Sequence, residues 1–256
     1  MLNPVYRLYE GRLHRQIKKG PFPKHIAFIM DGNRRFAVTR GMPPKMGHHH
    51  GAERLKDIIK WCYDLNVHVL TLFAFSNENF NRPKEELEEL MSLFREYFDR
   101  LSEDKNIHDK KVLIKAIGRL HLLPEDVQDA IRRAEEATKD YDSYILQIAI
   151  GYGGRQELVD AVKGIVEELS SNGVINETII EKIDETLVEK YLYTSGTPDP
   201  DLIIRTSGEE RLSGFLIWQS AYSELYFADI FFPGFRKIDF WRAIRTYQKR
   251  ERRFGE

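Results

Sequence analysis

HIAFIMDGNRRFA, residues 25–37, decides how the rest of the chain is read. From Ile26 to Met30 every position is apolar, with no alternation. That pattern suits a strand buried on both faces, as inside a parallel sheet. Then come an acid, a glycine, an amide and two arginines. A buried strand that runs straight into such a cluster ends where something polar or anionic is held.

The same rhythm recurs downstream. Apolar runs lie at 67–76 (VHVLTLFAFS), 111–118 (KVLIKAIG), 144–151 (YILQIAIG) and 201–207 (DLIIRTS), with FLIW at 215–218 as a weaker sixth. Helical patterns fill the intervals at 48–65, 84–101, 124–139, 155–170 and 177–192, and another covers 238–250. The pattern at 84–101 starts after Pro83 and sets Leu87, Leu90, Met91, Phe94, Phe98 and Leu101 on one stripe. Most of that stripe reads as core. The alternation predicts an α/β fold, a central and mostly parallel six-stranded sheet flanked by helices. We read one domain over 1–256, with an N-terminal helical extension at 1–24 and a C-terminal helix and tail at 238–256.

Composition narrows the function classes. The 256 residues are 42% hydrophobic with a formal net charge of −1, so no global basic field marks a nucleic-acid binder. The basic end KRERRFG reads as a solvated helix terminus. Cys62 is the sole cysteine, which excludes an intramolecular disulfide or a cysteine-rich zinc site and fits a reducing cytoplasm. No apolar run approaches the roughly 20 residues of a spanning helix, and no signal-type segment opens the chain. The expectation is a cytoplasmic protein whose membrane contact is peripheral.

The unusual polar residues follow the apolar runs, where open α/β sheets bind ligands. Gly32 allows close backbone approach, Arg34 and Arg35 suit phosphate oxygens, and Asp31 among them suggests Mg²⁺ bridging carboxylate and diphosphate. Read alone, the same residues make an ordinary turn with a solvated arginine pair. SNENFNRP (76–83) brings Ser76, Asn77, Asn79, Phe80 and Arg82, and is equally a polar loop with asparagine caps. RTSGEERLSGF (205–215) offers Arg205, Arg211 and Ser213 for a second anion, with Glu224 as a metal-side carboxylate; a solvated hairpin is its alternative. GYGGR (151–155) lacks the spacing of a nucleotide loop and reads as a tight turn. In HHH (48–50), neighbouring helical residues point about 100° apart, so three cannot chelate one ion, and His48 is the one expected to face the site.

These stretches resemble the cis-prenyltransferases, also called Z-isoprenyl or undecaprenyl diphosphate synthases. The likeness is carried by HIAFIMDGNRRFA, GHHHGAERL, TLFAFSNENFNRP, IAIGYGGRQELVDAV, PDLIIRTSGEERLSGFLIWQSAYSELYF and RERRFG, spread from residue 25 to 255. The resemblance implies repeated condensation of isopentenyl diphosphate onto an allylic diphosphate, farnesyl or geranylgeranyl, with each new double bond cis. A long-chain polyprenyl diphosphate, the precursor of a glycosyl carrier lipid, is the implied product, and the growing chain needs an apolar tunnel that Leu90, Leu93 and Phe94, with Ala74, are candidates to line. It also implies a homodimer that makes loose membrane contact through that lipid product. By position, Asp31 resembles the Mg²⁺-associated aspartate, and Gly32, Asn33, Arg34, Arg35 and Phe36 the allylic diphosphate cradle, helped by His48 and Arg82. Ser76, Asn77 and Glu78 match the region between the substrates, Asn79 a position given a proton-acceptor role, and Phe80 the aromatic next to it. Arg205, Arg211, Leu212 and Ser213 match the isopentenyl diphosphate clamp, Glu224 a second metal-side residue, and Arg253 with Gly255 a tail that reaches a neighbouring subunit.

The chain departs from the family pattern at Arg34-Arg35-Phe36 and at Phe80, where many bacterial members have Gly-Arg-Trp and Trp. Pro44 falls on a family arginine, with Lys45 beside it, and Glu210 on a metal-side histidine of some members. The competing readings are a non-catalytic partner subunit of a heteromeric prenyltransferase and an unrelated phosphate-binding transferase.

Overall fold

The computed structural model describes residues 4–171 and 183–250. Six strands form one sheet: β1 (His25–Ile29), β2 (Val69–Ser76), β3 (Val112–Ile117), β4 (Tyr144–Tyr152), β5 (Leu202–Arg205) and β6 (Glu224–Phe227). They lie in the order β3-β4-β2-β1-β5-β6, and every pairing is parallel. The helices are α1 (Pro4–Ile17), α2 (Asn33–Val38), α3 (Pro44–Asp64), α4 (Lys84–Glu103), α5 (Lys105–Asp109), α6 (Glu125–Thr138), α7 (Gly154–Ser171), α8 (Glu185–Tyr191) and α9 (Lys237–Lys249).

Position in the sheet explains the composition of each strand. β1 and β5 are buried at every residue, whereas the edge strand β6 is half-exposed throughout. Two layers of core follow the two-residue period of the strands. Ile26, Phe28, Leu72, Ile148 and Ile204 face the helices α1, α3, α4, α6 and α9. Ala27, Ile29, Ala149 and Ile203 face the other way, against Phe215, Leu216 and Tyr152. On that second face His25 is also buried, its Nδ1 at 2.6 Å from the Pro198 carbonyl and its Nε2 at 2.7 Å from the Thr71 hydroxyl.

The sixth strand departs from the sequence reading. FLIW at 215–218 is not a strand; SELYF supplies it, at Glu224–Phe227. Gly214 and Leu216 both have positive φ, 77° and 46°, which winds the chain into a turn that no extended pairing permits. Phe215 and Leu216 are instead plugs, fully buried under the sheet. Of the helix expected at 177–192, the described part is Glu185–Tyr191, and Arg253 and Gly255 lie outside the described residues.

Three features place the site. β1 connects to β2 on one side and β5 to β6 on the other, so the crevice beyond the carboxyl ends of β1 and β5 is a topological switch point. β2 slips register with β4 between Phe73 and Phe75, a bulge that turns Ala74 into the space beneath α4. Finally, α2 lies directly on α3. A Cβ on Gly47 would stand 2.0 Å from the Asn33 carbonyl oxygen, and one on Gly51 2.4 Å from Asn33 Oδ1, so only glycine permits this approach.

Candidate active site

Asp31 sits two residues past β1 with its backbone held on both sides. Its N–H donates to the Ile29 carbonyl, while Phe232 N–H and the Thr206 hydroxyl donate to its own carbonyl at 3.0 and 2.7 Å. The side chain therefore projects in a fixed direction over the switch-point crevice. There Arg205, the last residue of β5, donates to Asp31 Oδ2 at 2.9 Å, and Arg35 donates to Oδ1 at 3.3 Å. Burial pushes the carboxyl pKa up, but hydrogen bonds from Arg205 and Ser207 and the nearby arginine charges outweigh it and hold the group below its ordinary value. Asp31 is charged at neutral pH.

Arg205 organises the opposite wall. Its side chain is only 6% exposed, yet it reaches the Arg211 carbonyl at 2.5 Å and the Ser213 hydroxyl at 2.8 Å besides Asp31. The loop so gripped carries positive φ at Ser207, Gly208, Ser213, Gly214 and Leu216, a strained winding of the kind that concentrates at ligand sites. The Nε atom of Arg205 is buried without a partner, so the guanidinium retains a donor for an arriving oxygen.

A cavity of about 320 Å³ opens between these groups. Its mouth is polar, formed by Asp31, Asn33, His48, Ser76, Asn79 and Arg82 together with Arg205 and Ser213. Its interior is apolar and runs between α3 and α4, past Ala52, Leu55, Leu90, Leu93, Phe94 and Phe98. Leu90, Leu93, Phe94 and Ala74, the expected tunnel residues, all line it. A second hollow of about 760 Å³ adjoins the mouth and shares Phe73, Ser76 and Ser213 with it, adding Glu78 and Arg155.

The cations at the mouth have a partner that the sequence reading missed. Glu86, in the first turn of α4, lies 3.0 Å from Arg82 and 3.6 Å from both Arg34 and His48. His48 faces the cavity while His49 and His50 are exposed, as expected from their angular spacing. Burial and the Arg82 charge depress the His48 pKa against the pull of Glu86. The Asn79 carboxamide accepts from Ser76 N–H at 3.0 Å, which fixes the 3-10 turn Asn77–Asn81. Both polar atoms of the Asn77 side chain are buried without partners.

Several expected site residues lie elsewhere. Phe36 is buried in the α2–α3 junction, 5.8 Å from the His50 ring and under the Arg40 guanidinium. Phe80 packs edge-on against Phe75 rather than lining either hollow, because the 3-10 turn directs it back into the core. Leu212 packs on the second core layer. The Arg211 side chain is largely exposed and pairs with Glu209; its carbonyl is the atom that meets Arg205. Glu224 begins β6 opposite Leu202, three residues short of the level of Arg205, and pairs with Arg250 at 2.6 Å. Within one chain it does not meet Asp31. Lys45 pairs with Glu89 on α4, and Glu210 is exposed.

Other residues of the site emerge only in three dimensions. Ser207 accepts from Arg35 at 2.7 Å, Glu209 bridges Arg35 and Arg211, and Gly47 and Gly51 seat Asn33. Only the paired glycines of GHHHG left a trace in the sequence. Among the described residues, no three His, Cys, Asp or Glu side chains gather to hold a metal, and no helix is long and apolar enough to cross a membrane.

Residues 29–255 match the family model described as "Putative undecaprenyl diphosphate synthase". The chain belongs to this undecaprenyl diphosphate synthase family. It is 53% identical over 254 residues to the tritrans,polycis-undecaprenyl-diphosphate synthase (geranylgeranyl-diphosphate specific) of Methanopyrus kandleri, covering 99% of this chain and 92% of that one. An isoprenyl transferase of Thermus thermophilus is 48% identical, with 98% and 96% covered. Among solved structures, lavandulyl diphosphate synthase from Lavandula x intermedia in complex with dimethylallyl diphosphate superposes with TM-score 0.85 at 36% identity, covering 92% of this chain and 99% of that one. A probable undecaprenyl diphosphate synthase from Campylobacter jejuni gives 0.74 at 32% identity, with 92% and 100% covered. The site of this undecaprenyl diphosphate synthase family member thus has its polar mouth on the switch point of the shared fold.

Proposed function

We propose that the chain is a Mg²⁺-dependent cis-prenyl elongation enzyme. It condenses isopentenyl diphosphate repeatedly onto an allylic diphosphate to build a polycis-polyprenyl diphosphate for a glycosyl carrier lipid. The observation that carries this reading is the polar mouth, joined to an apolar cavity on one side and to a second hollow carrying Glu78 and Arg155 on the other, with Asp31 and Arg205 in contact between them. One allylic substrate fits with its tail in the apolar cavity; the second diphosphate fits in the neighbouring hollow. The names of the archaeal relatives support geranylgeranyl diphosphate as the primer.

Each residue has a physical task in this scheme. The first-turn amides of α2 donate to no intrahelical carbonyl, and with Arg34, Arg35 and Arg82 they offer the donors an allylic diphosphate needs. Arg205, through its free Nε, and Ser213 orient the isopentenyl diphosphate beside it. Asp31 is the carboxylate that lines the mouth, and Mg²⁺ is commonly bound by one or two carboxylates plus substrate phosphates, so the residues fit that ion. When bound, Mg²⁺ would neutralise charge on the diphosphate. The arginines stabilise the charge that builds as the allylic C–O bond breaks, and the isopentenyl alkene supplies the electrons of the new C–C bond. A proton then leaves the adjacent carbon for an oxygen of the departing diphosphate. Asn79, a neutral amide already tied to Ser76, orients the reacting groups at that step. Fixing both diphosphates supplies orientation worth about 7–11 kcal/mol at best.

A homodimer, in which the tail carrying Arg253 and Gly255 reaches a neighbouring site and Glu224 serves a mate, belongs to the same proposal. The alternative of a non-catalytic subunit is disfavoured by the intact contact set around Asp31. Purified protein incubated with isopentenyl diphosphate, Mg²⁺ and primers from geranyl to geranylgeranyl diphosphate tests the reading. Chromatography of extracted products should show long polyprenyl chains, made fastest from geranylgeranyl diphosphate. No incorporation with any primer would sink it.

A further inference from the structure

We infer that the face formed by α1 and the end of α9 is a docking surface for an anionic lipid bilayer. Residues 4–24 hold six lysines and arginines against one acid, Glu10, in a chain whose formal net charge is −1. Leu13 and Ile17 bury the inner side of α1, at 1% and 0% exposure. At about 100° per residue, Leu8, Arg12 and Arg15 fall within an arc of about 60° on the side opposite Ile17. Leu8 is 74% exposed, and both arginines are exposed with it. Lys18 and Lys19 are exposed in the turn that ends the helix. Gln248 of α9 donates to the Ile17 and Pro21 carbonyls at 2.8 and 2.9 Å, which brings the exposed Lys249 to the same end. Among the described residues, none of these five cations is in an ion pair.

A fixed group of unpaired cations keeps its mutual repulsion until an anionic surface relieves it. Clusters of about four to eight lysines and arginines draw phospholipid headgroups in this way, with a gain of roughly fivefold in binding per charge. Leu8 favours a bilayer over a nucleic acid. Amid the charges its side chain gains nothing from phosphates, whereas a bilayer interface takes up apolar groups beside its headgroups. No described helix is long and apolar enough to cross a membrane, so contact with one rests on a surface such as this. The elongation reading gives the surface a use, because a polyprenyl product ends in a bilayer, but the charge pattern stands without it.

The test is vesicle flotation of the purified full chain without substrate, so its result is separate from that of the elongation assay. The chain should float with vesicles of equal parts phosphatidylcholine and phosphatidylglycerol, stay behind with pure phosphatidylcholine, and be released by salt. Arg12→Glu with Arg15→Glu should lower the partition coefficient by more than about tenfold, while leaving condensation in detergent solution unchanged. Arg132→Glu with Lys139→Glu on α6 alters the net charge equally and should leave vesicle binding intact. Leu8→Gln should weaken binding without changing its salt dependence. Unchanged flotation of the α1 variant, equal loss in the α1 and α6 variants, or no preference for phosphatidylglycerol would overturn the inference. So would tighter binding to duplex DNA than to the anionic vesicles. Should the α1 variant fail to fold, Lys18→Gln with Lys19→Gln decides in its place, and unchanged flotation there counts equally against it.

Discussion

Arg205 donates to the Asp31 carboxylate at 2.9 Å, joining residues 174 positions apart across the ends of two neighbouring strands. The contact sets a buried cation against a part-exposed anion, so one partner is fixed and the other faces the cavity.

Asp31→Asn should cut turnover by about a hundred- to a thousandfold, the usual loss when a group acting on developing charge is removed. The fold should survive with a loss of about 1–2 kcal/mol, since the asparagine oxygen still accepts from Arg205. Steady-state assays beside urea unfolding check both halves. Near-normal activity would remove Asp31 from its assigned role.

Glu86→Gln should tighten binding of inorganic pyrophosphate. Glu86 lies within 3.0–3.6 Å of Arg82, Arg34 and His48, and a diphosphate must compete with it for those cations. A gain of roughly tenfold corresponds to about 1.4 kcal/mol and is within reach of calorimetry. Weaker binding would show that Glu86 organises the cations rather than competing for them.

Gly47→Ala should destabilise the protein by about 1–3 kcal/mol, the range for overpacking. Helix propensity alone predicts a gain of about 1 kcal/mol for the same change. The added Cβ would meet the Asn33 carbonyl oxygen at 2.0 Å, so α2 must move and the cradle with it. Denaturant midpoints and the KM for the allylic substrate should therefore worsen together.

Acid should weaken the fold before its carboxylates titrate. Burial holds His25 at about 4, below the ordinary histidine value of roughly 6.5. Between those values the unfolded chain binds the extra proton, so stability falls as pH drops through that window, by about 3 kcal/mol at most. Unfolding free energies measured from pH 7 to 4 should show this slope. A His25→Gln variant should show a smaller slope, the remainder coming from His48 and His14, which burial also holds below the ordinary histidine value.

The fold was legible wherever burial was uniform. HIAFIM and YILQIAIG could only be interior strands, and Pro83 with the stripe from Leu87 to Leu101 marked α4 to within two residues. FLIW misled because two fully buried residues, Phe215 and Leu216, satisfy the same hydrophobic criterion from within a turn, and positive φ leaves no mark on a leucine. The site was legible in the residues that end strands, Asp31 and Arg205, whose places follow from topology. It was not legible in Glu86 or Ser207, which belong to the site through helix packing and loop winding. Nor did the sequence separate Phe36 and Phe80, which pack inward, from the polar residues next to them.

The guanidinium of Arg205 ties strand end, loop carbonyl and hydroxyl together at a nearly solvent-free spot, and an ammonium could not match that fork. A descendant that had abandoned chemistry would still need this arginine to keep its loop in shape. Asp31 carries no such obligation. In sorting working enzymes from inert lookalikes of this architecture, the aspartate is therefore the informative letter, and the arginine beside it tells only that the scaffold is intact.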